Sequence, residues 1–153
     1  MTQQITEIFN YEKWANTEII KAIEKTNSPS EKVLSLMSHI INAQIVWLSR
    51  INNTIPDTEV WQLYKKDELI VRHTVSIDNI LNFLNEQKDV DLEKIITYEN
   101  SKGEKFTTAL KDILIHLSHH SGYHRGQIIS LLKSEGEEFP YTDYIHYIRN
   151  IKK

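Results

Sequence analysis

The chain has 153 residues, with 18 Lys and Arg against 21 Asp and Glu, a formal net charge of -3, and no cysteine. This size suits one domain, expected over residues 1–153, that can bury its own core. The missing thiols exclude disulfides, thiolate metal ligands and a cysteine nucleophile, and the near-balanced charge gives no basic footprint for nucleic acid.

No apolar run approaches the roughly 20 residues needed to cross a bilayer. The start, Met1-Thr2-Gln3-Gln4, lacks the basic and apolar regions of a secretory signal. The expectation is a cytoplasmic protein with no nucleic acid and no membrane as partner.

Only 4 Gly and 3 Pro interrupt the chain, so long helices are expected. The first is predicted from about Ile5 to Lys25, where Ile5, Ile8, Phe9, Ala15, Ile19 and Ile23 recur at three- and four-residue steps. Asn27-Ser28-Pro29-Ser30 makes a turn, and Ser30 caps the second helix. That helix runs from about Glu31 to Asn52, with Val33, Leu36, Met37, Ile40, Ala43, Gln44, Trp47, Leu48 and Ile51 along a broad face. A third helix is predicted from about Lys66 to Glu86, strongest over Ile77, Ile80, Leu81 and Leu84.

The segment from Ile95 to Phe106 has a different pattern. Ile95-Ile96-Thr97-Tyr98 is β-prone, Asn100-Ser101-Lys102-Gly103 is a turn, and Lys105-Phe106-Thr107 resumes extended chain, which gives a small hairpin or extended loop. A fourth long helix follows from about Thr108 to Ser134 and is closed by Gly136. A short last helix follows Pro140, with Thr142 as its cap, carrying Tyr144, Ile145, Tyr147 and Ile148. The expected class is all-α: an up-down four-helix bundle with a small hairpin or loop before the last long helix and a short C-terminal helix.

Four of the seven histidines (His116, His119, His120 and His124) fall within nine residues of the fourth helix. At about 100° per residue, His124 lies near the centre of the apolar face set by Leu110, Leu117 and Ile128. His120 also faces the core, His116 lies at its edge, and His119 points to the solvated side. A four-residue spacing puts two imidazoles on one helix face, one turn apart, where both can chelate one ion. A third donor should come from a facing helix, and His39, between Leu36 and Ala43, is the best placed. His116 remains open as a supporting group, as a member of an alternative trio with His120 and His124, or as a core residue. His73 and His146 read as structural or exposed.

Three neutral imidazoles leave at least one coordination position open, as catalytic zinc sites do. Imidazole also suits nickel, copper and iron. Asn42, Tyr123 and Gln127 lie near the predicted site and could assist there, and Arg125 reads as a structural or anion-binding residue; for each, packing or helix surface is favoured over a catalytic role.

Three segments give the chain a familiar pattern. Asn10-Tyr11-Glu12-Lys13-Trp14-Ala15-Asn16, the run from Ser38-His39 to Trp47-Leu48, and the run from His116 to Tyr123-His124-Arg125-Gly126-Gln127 together resemble the DinB family, also called DinB/YfiT-like metalloenzymes. The closing Thr142-Asp143-Tyr144-Ile145 resembles its usual tail, and the resemblance spans nearly the whole chain in order.

The resemblance implies a four-helix bundle, often a homodimer, with a divalent metal (zinc or nickel foremost) held at positions that fall on His39, His120 and His124. The family commonly has Asn where this chain has His119. The resemblance also implies transfer or isomerisation chemistry on a small-molecule substrate with a low-molecular-weight thiol. Since the chain has no cysteine, the sulfur would have to arrive with that co-substrate. It does not imply DNA binding. The competing readings are a metal-dependent hydrolase and a metal-binding or metal-free helical bundle serving as a non-catalytic interaction or stress-response protein.

Overall fold

Helix α1 covers Thr2–Lys25, longer by three residues at its start than the periodicity predicts. The computed structural model describes residues 1–86, 90–100 and 102–152. In α1 Ile5, Phe9, Ala15, Ile19 and Ile23 are buried as their spacing requires, but so are Glu12 and Asn16 at its centre. Thr26 ends the helix, its hydroxyl and N–H both donating to Ala22 O.

Helix α2 runs Glu31–Asn52. Ser30 caps it by accepting the Val33 N–H, and Asn53 terminates it in the left-handed region at φ 53°. A 3-10 turn over Lys66–Glu68 leads into α3, Leu69–Glu86.

The hairpin consists of β1, Ile95–Glu99, paired antiparallel with β2, Lys105–Ala109. The register runs from Ile95 opposite Ala109 to Glu99 opposite Lys105. Asn100 shapes the turn, its side-chain oxygen accepting the Lys102 and Glu104 N–H groups, and Gly103 supplies φ +77°. Ser101 of the predicted turn lies outside the described residues.

Helix α4 spans Leu110–Ser134 and Gly136 follows at φ +76°. Its predicted start at Thr108 is two residues early, because Thr107 and Thr108 pair with Thr97 and Ile96 in the ladder instead. β-branched residues suit the pleat better than a first helical turn. The last element is α5, Tyr144–His146, which continues as a π-helical turn through Ile151. Its cap is Asp143 rather than Thr142.

The fold is therefore mostly helical with a small two-stranded sheet, not purely all-α. The helix order also differs from expectation. An up-down arrangement sets sequence neighbours side by side. Here α1 packs mainly on α3 and α4, and α2 mainly on the same two. The order around the helices is α1–α3–α2–α4, so α1 and α2 lie across a diagonal. Among the described residues no helix is long and apolar enough to cross a membrane.

The core has two apolar parts. One gathers Ile5, Phe9, Ile77, Ile80, Leu84, Ile96, Ile113 and Leu117. The other gathers Ile19, Ile23, Met37, Ile41, Tyr64, Leu69, Ile128 and Leu132. Near the junction of these two sets each long helix carries buried or half-buried polar residues: Glu12 and Asn16 on α1, His39 and Asn42 on α2, His73 and Ser76 on α3, and His120, Ser121, His124 and Arg125 on α4. Buried polar groups persist only when hydrogen bonded. This belt carries the candidate site.

Candidate metal centre

The structure brings His39, His120 and His124 together, with one ring nitrogen from each within 4.8 Å of the others. The His39 and His120 Nε2 atoms are 2.9 Å apart. The three ring centroids stand 4.5 to 4.8 Å from one another. His39 is buried, and His120 and His124 are half-buried.

The outer nitrogens decide which lone pairs point inward. His39 Nδ1 is 3.0 Å from Val60 O, a carbonyl that can only accept, so Nδ1 carries the proton and donates. Its Nε2 is then a bare donor atom turned toward the other two rings. His124 Nδ1 donates to Gln127 Oε1 at 2.7 Å, which leaves its Nε2 bare as well. Metal-binding histidines are characteristically held in this way, with the second nitrogen tied to a carbonyl. The residues present therefore fit a divalent ion.

The electrostatics agree. Burial, and then the neighbouring imidazoles of His39, His124 and His116, push His120 down to about 4. Burial lowers His39 too, against its bond to Val60 and helped by His124. These rings are neutral at pH 7 and offer lone pairs rather than protons.

The segment that completes the site is the connection from Asn53 to Lys65. Trp61 lies flat on His39, with centroids 3.7 Å apart and planes 2° from parallel. Asn42, buried one turn after His39, holds this segment: its Nδ2 donates to Gln62 O at 2.8 Å and its Oδ1 accepts from the Thr58 hydroxyl at 2.9 Å. Tyr64, almost fully buried, anchors the far end, with its N–H donating to Ser38 Oγ.

Beside the histidines opens a cleft of about 510 Å³, walled by Leu36, Trp61, Tyr123, His124 and Gln127, with Lys32 at its rim. A larger cleft between α2 and α3, about 610 Å³, contains none of the three histidines. It is also more polar, so the smaller one is the relevant space.

The other histidines are placed apart from the trio. His116 is exposed, its ring 5.7 Å from that of His120 and 5.6 Å from that of Trp47. His119 is exposed on the solvent side. His73 is wholly buried between α1 and α3, and His146 stacks on Trp14. Tyr123 is exposed with its ring 5.1 Å from His124.

Sequence reasoning missed Trp61 and the Val60 carbonyl, which lie in a segment without helical or strand periodicity. A Trp and a Tyr three residues apart in a polar connection were the available signal that it folds back on the core. It also missed the partner of Arg125. That guanidinium is 3% exposed and meets Glu12, 1% exposed, in a buried ion pair.

Comparison with known proteins agrees with this geometry. Protein DinB of Bacillus subtilis (strain 168) is 21% identical over 157 aligned positions, covering 92% of this chain and 91% of that protein. No solved structure matches. The sequence profile of the DinB family matches residues 1–152, in which all three histidines and the elements that carry them fall, and the chain belongs to the DinB family.

Proposed function

We propose that this protein is a divalent-metal enzyme in which His39, His120 and His124 hold the ion, and that it transfers a low-molecular-weight thiol to an electrophilic carbon. The observation that supports this best is the convergence of three inward-facing imidazoles, two with anchored outer nitrogens, beside an open cleft. Three neutral ligands leave a coordination position for an exogenous group, and zinc or nickel suits an all-imidazole set. When bound, the ion supplies a Lewis-acid position that favours the thiolate form of a thiol at neutral pH.

The chain's own residues do the rest. Val60 O and Gln127 fix the tautomers and orientations of His39 and His124. Trp61 and Tyr123 wall the cleft in which the substrates would lie. The thiolate sulfur forms the new S–C bond while the leaving group departs with its electron pair, and the thiol proton passes to solvent. The protein has no cysteine, so this sulfur comes from the co-substrate. In this reading the chain is a single domain forming an α-helical bundle, and it works in the cytoplasm as a homodimer.

The test is thiol consumption. Protein loaded with zinc or nickel is expected to accelerate loss of a small thiol in the presence of an alkyl or aryl halide. Metal-free protein and the His124→Ala variant should match the uncatalysed rate. Equal rates in all three samples would overturn the transferase reading.

A further inference from the structure

Helix α4 presents two functional faces. His120 and His124, four residues apart, face His39 on α2. Ser118, Ser121 and Arg125, at three- and four-residue steps, face α1. Each of the latter bonds to α1, and together they reach Tyr11, Glu12 and Asn16. Arg125 Nη1 donates to Glu12 Oε2, to Asn16 Oδ1 at 3.0 Å and to Ser121 Oγ at 2.8 Å. Its Nη2 donates to Glu12 Oε1 at 3.2 Å and to the Tyr11 hydroxyl oxygen at 3.0 Å. Ser118 donates to Glu12 Oε1 at 3.2 Å, and Asn16 Nδ2 donates to Ser121 Oγ at 3.2 Å. The Tyr11 hydroxyl donates onward to Thr142 O at 2.8 Å, which brings in the C-terminal segment.

We infer that Arg125 and Glu12 are positioning residues for the metal centre: their buried pair fixes the rotation of α4 about its own axis and thereby aims His120 and His124 at His39. This rests on the metal reading above. Apolar packing alone lets a helix turn by small amounts, whereas a forked guanidinium meeting a carboxylate and an amide on the facing helix admits one register. The lever is long. A Cα lies about 2.3 Å from the helix axis and an imidazole nitrogen several ångströms further out. A rotation of about 10° carries that nitrogen about 1 Å, well beyond the roughly 0.2 Å that a metal–nitrogen bond tolerates. Ser121 follows His120 in the chain and Arg125 follows His124, so each ligand candidate sits beside a residue fixed to α1.

The experiment loads the full chain with Co(II), whose visible absorption reports ligand geometry, and measures Co(II) affinity, spectrum and helical circular dichroism together. Two variants are compared with wild type. Arg125→Lys keeps a cation opposite Glu12 but removes the fork. The double change Glu12→Met, Arg125→Met replaces the pair by apolar side chains, a swap that buried ion pairs often tolerate. A third protein, Ile77→Ala, weakens the core from α3 and leaves the network intact.

Both network variants should stay helical, bind Co(II) about 10-fold or more weakly, as loss of ligand-orienting contacts does, and show an altered visible spectrum. Ile77→Ala should keep wild-type affinity and spectrum despite lower stability. Folded network variants with the wild-type affinity and spectrum would overturn the inference. So would an equal loss of affinity in Ile77→Ala, since affinity would then follow stability alone. A wild-type protein that takes up no Co(II) would instead overturn the metal reading beneath it.

Discussion

Replacing Arg125 by alanine is expected to destabilise the protein by about 3–5 kcal/mol, since removal of one partner leaves a buried charge uncompensated. The guanidinium has three acceptors besides Glu12, namely the Asn16, Ser121 and Tyr11 oxygens. Its loss strands the Glu12 carboxylate, 1% exposed, with the Ser118 hydroxyl as its one remaining side-chain donor among the described residues. Total stabilities of about 5–15 kcal/mol make this a large fraction of the whole. Urea denaturation followed by circular dichroism reads it directly. A midpoint within error of wild type would show that water reaches Glu12 in solution and that the pair is not buried. The Arg125→Ala, Glu12→Ala double variant should be less damaged than the sum of the single changes, because neither charge is left alone.

The second expected result concerns acid. Burial pushes His73 down to about 4, against an opposing bond from its Nε2–H to Lys13 O and with Lys13 and Arg125 nearby. Its Nδ1 has no hydrogen-bond partner among the described residues. The folded protein therefore holds this ring neutral while the unfolded chain protonates it near pH 6.5. The contribution is fully present above pH 6.5 and is lost as pH falls toward 4, because the unfolded state binds the proton more readily throughout that interval. At about 1.4 kcal/mol per pH unit, about 3 kcal/mol of stability disappears across it. The difference in unfolding free energy between wild type and His73→Gln should narrow or change sign between pH 7 and pH 4. A difference constant with pH would contradict the burial of a neutral imidazole there.

Much of this was legible in the sequence because it rests on local chemistry. The bounds of α2 follow from Ser30 and from the Asn52-Asn53 stop. The hairpin follows from β-branched runs around Asn100 and Gly103. The pairing of His120 with His124 follows from helical period alone, and the position of His39 between Leu36 and Ala43, at the edge of the apolar face of α2, marked it as the third donor. The structure groups His39 with His120 and His124 and leaves the exposed His116 outside that cluster, because α2 packs against α4 and brings His39 to those two rings.

What was not legible depends on distant partners. Glu12 and Asn16 look like ordinary solvated residues of an amphipathic helix, and the guanidinium that buries Glu12 lies 113 positions away. Trp61 belongs to no periodic element, so nothing local shows that its ring covers His39. The helix order was missed for a similar reason. Amphipathic faces state that each helix needs neighbours but do not name them, and the diagonal placement of α1 and α2 emerges only when all four faces are satisfied together.

The most direct test of the central claim is the metal content of the protein purified without an affinity tag, measured by plasma mass spectrometry beside the His120→Ala, His124→Ala double variant. A site built as described should carry near-stoichiometric divalent metal in the wild type and lose it in the variant. Wild-type protein without bound metal, even after reconstitution with zinc, nickel and manganese, would contradict it.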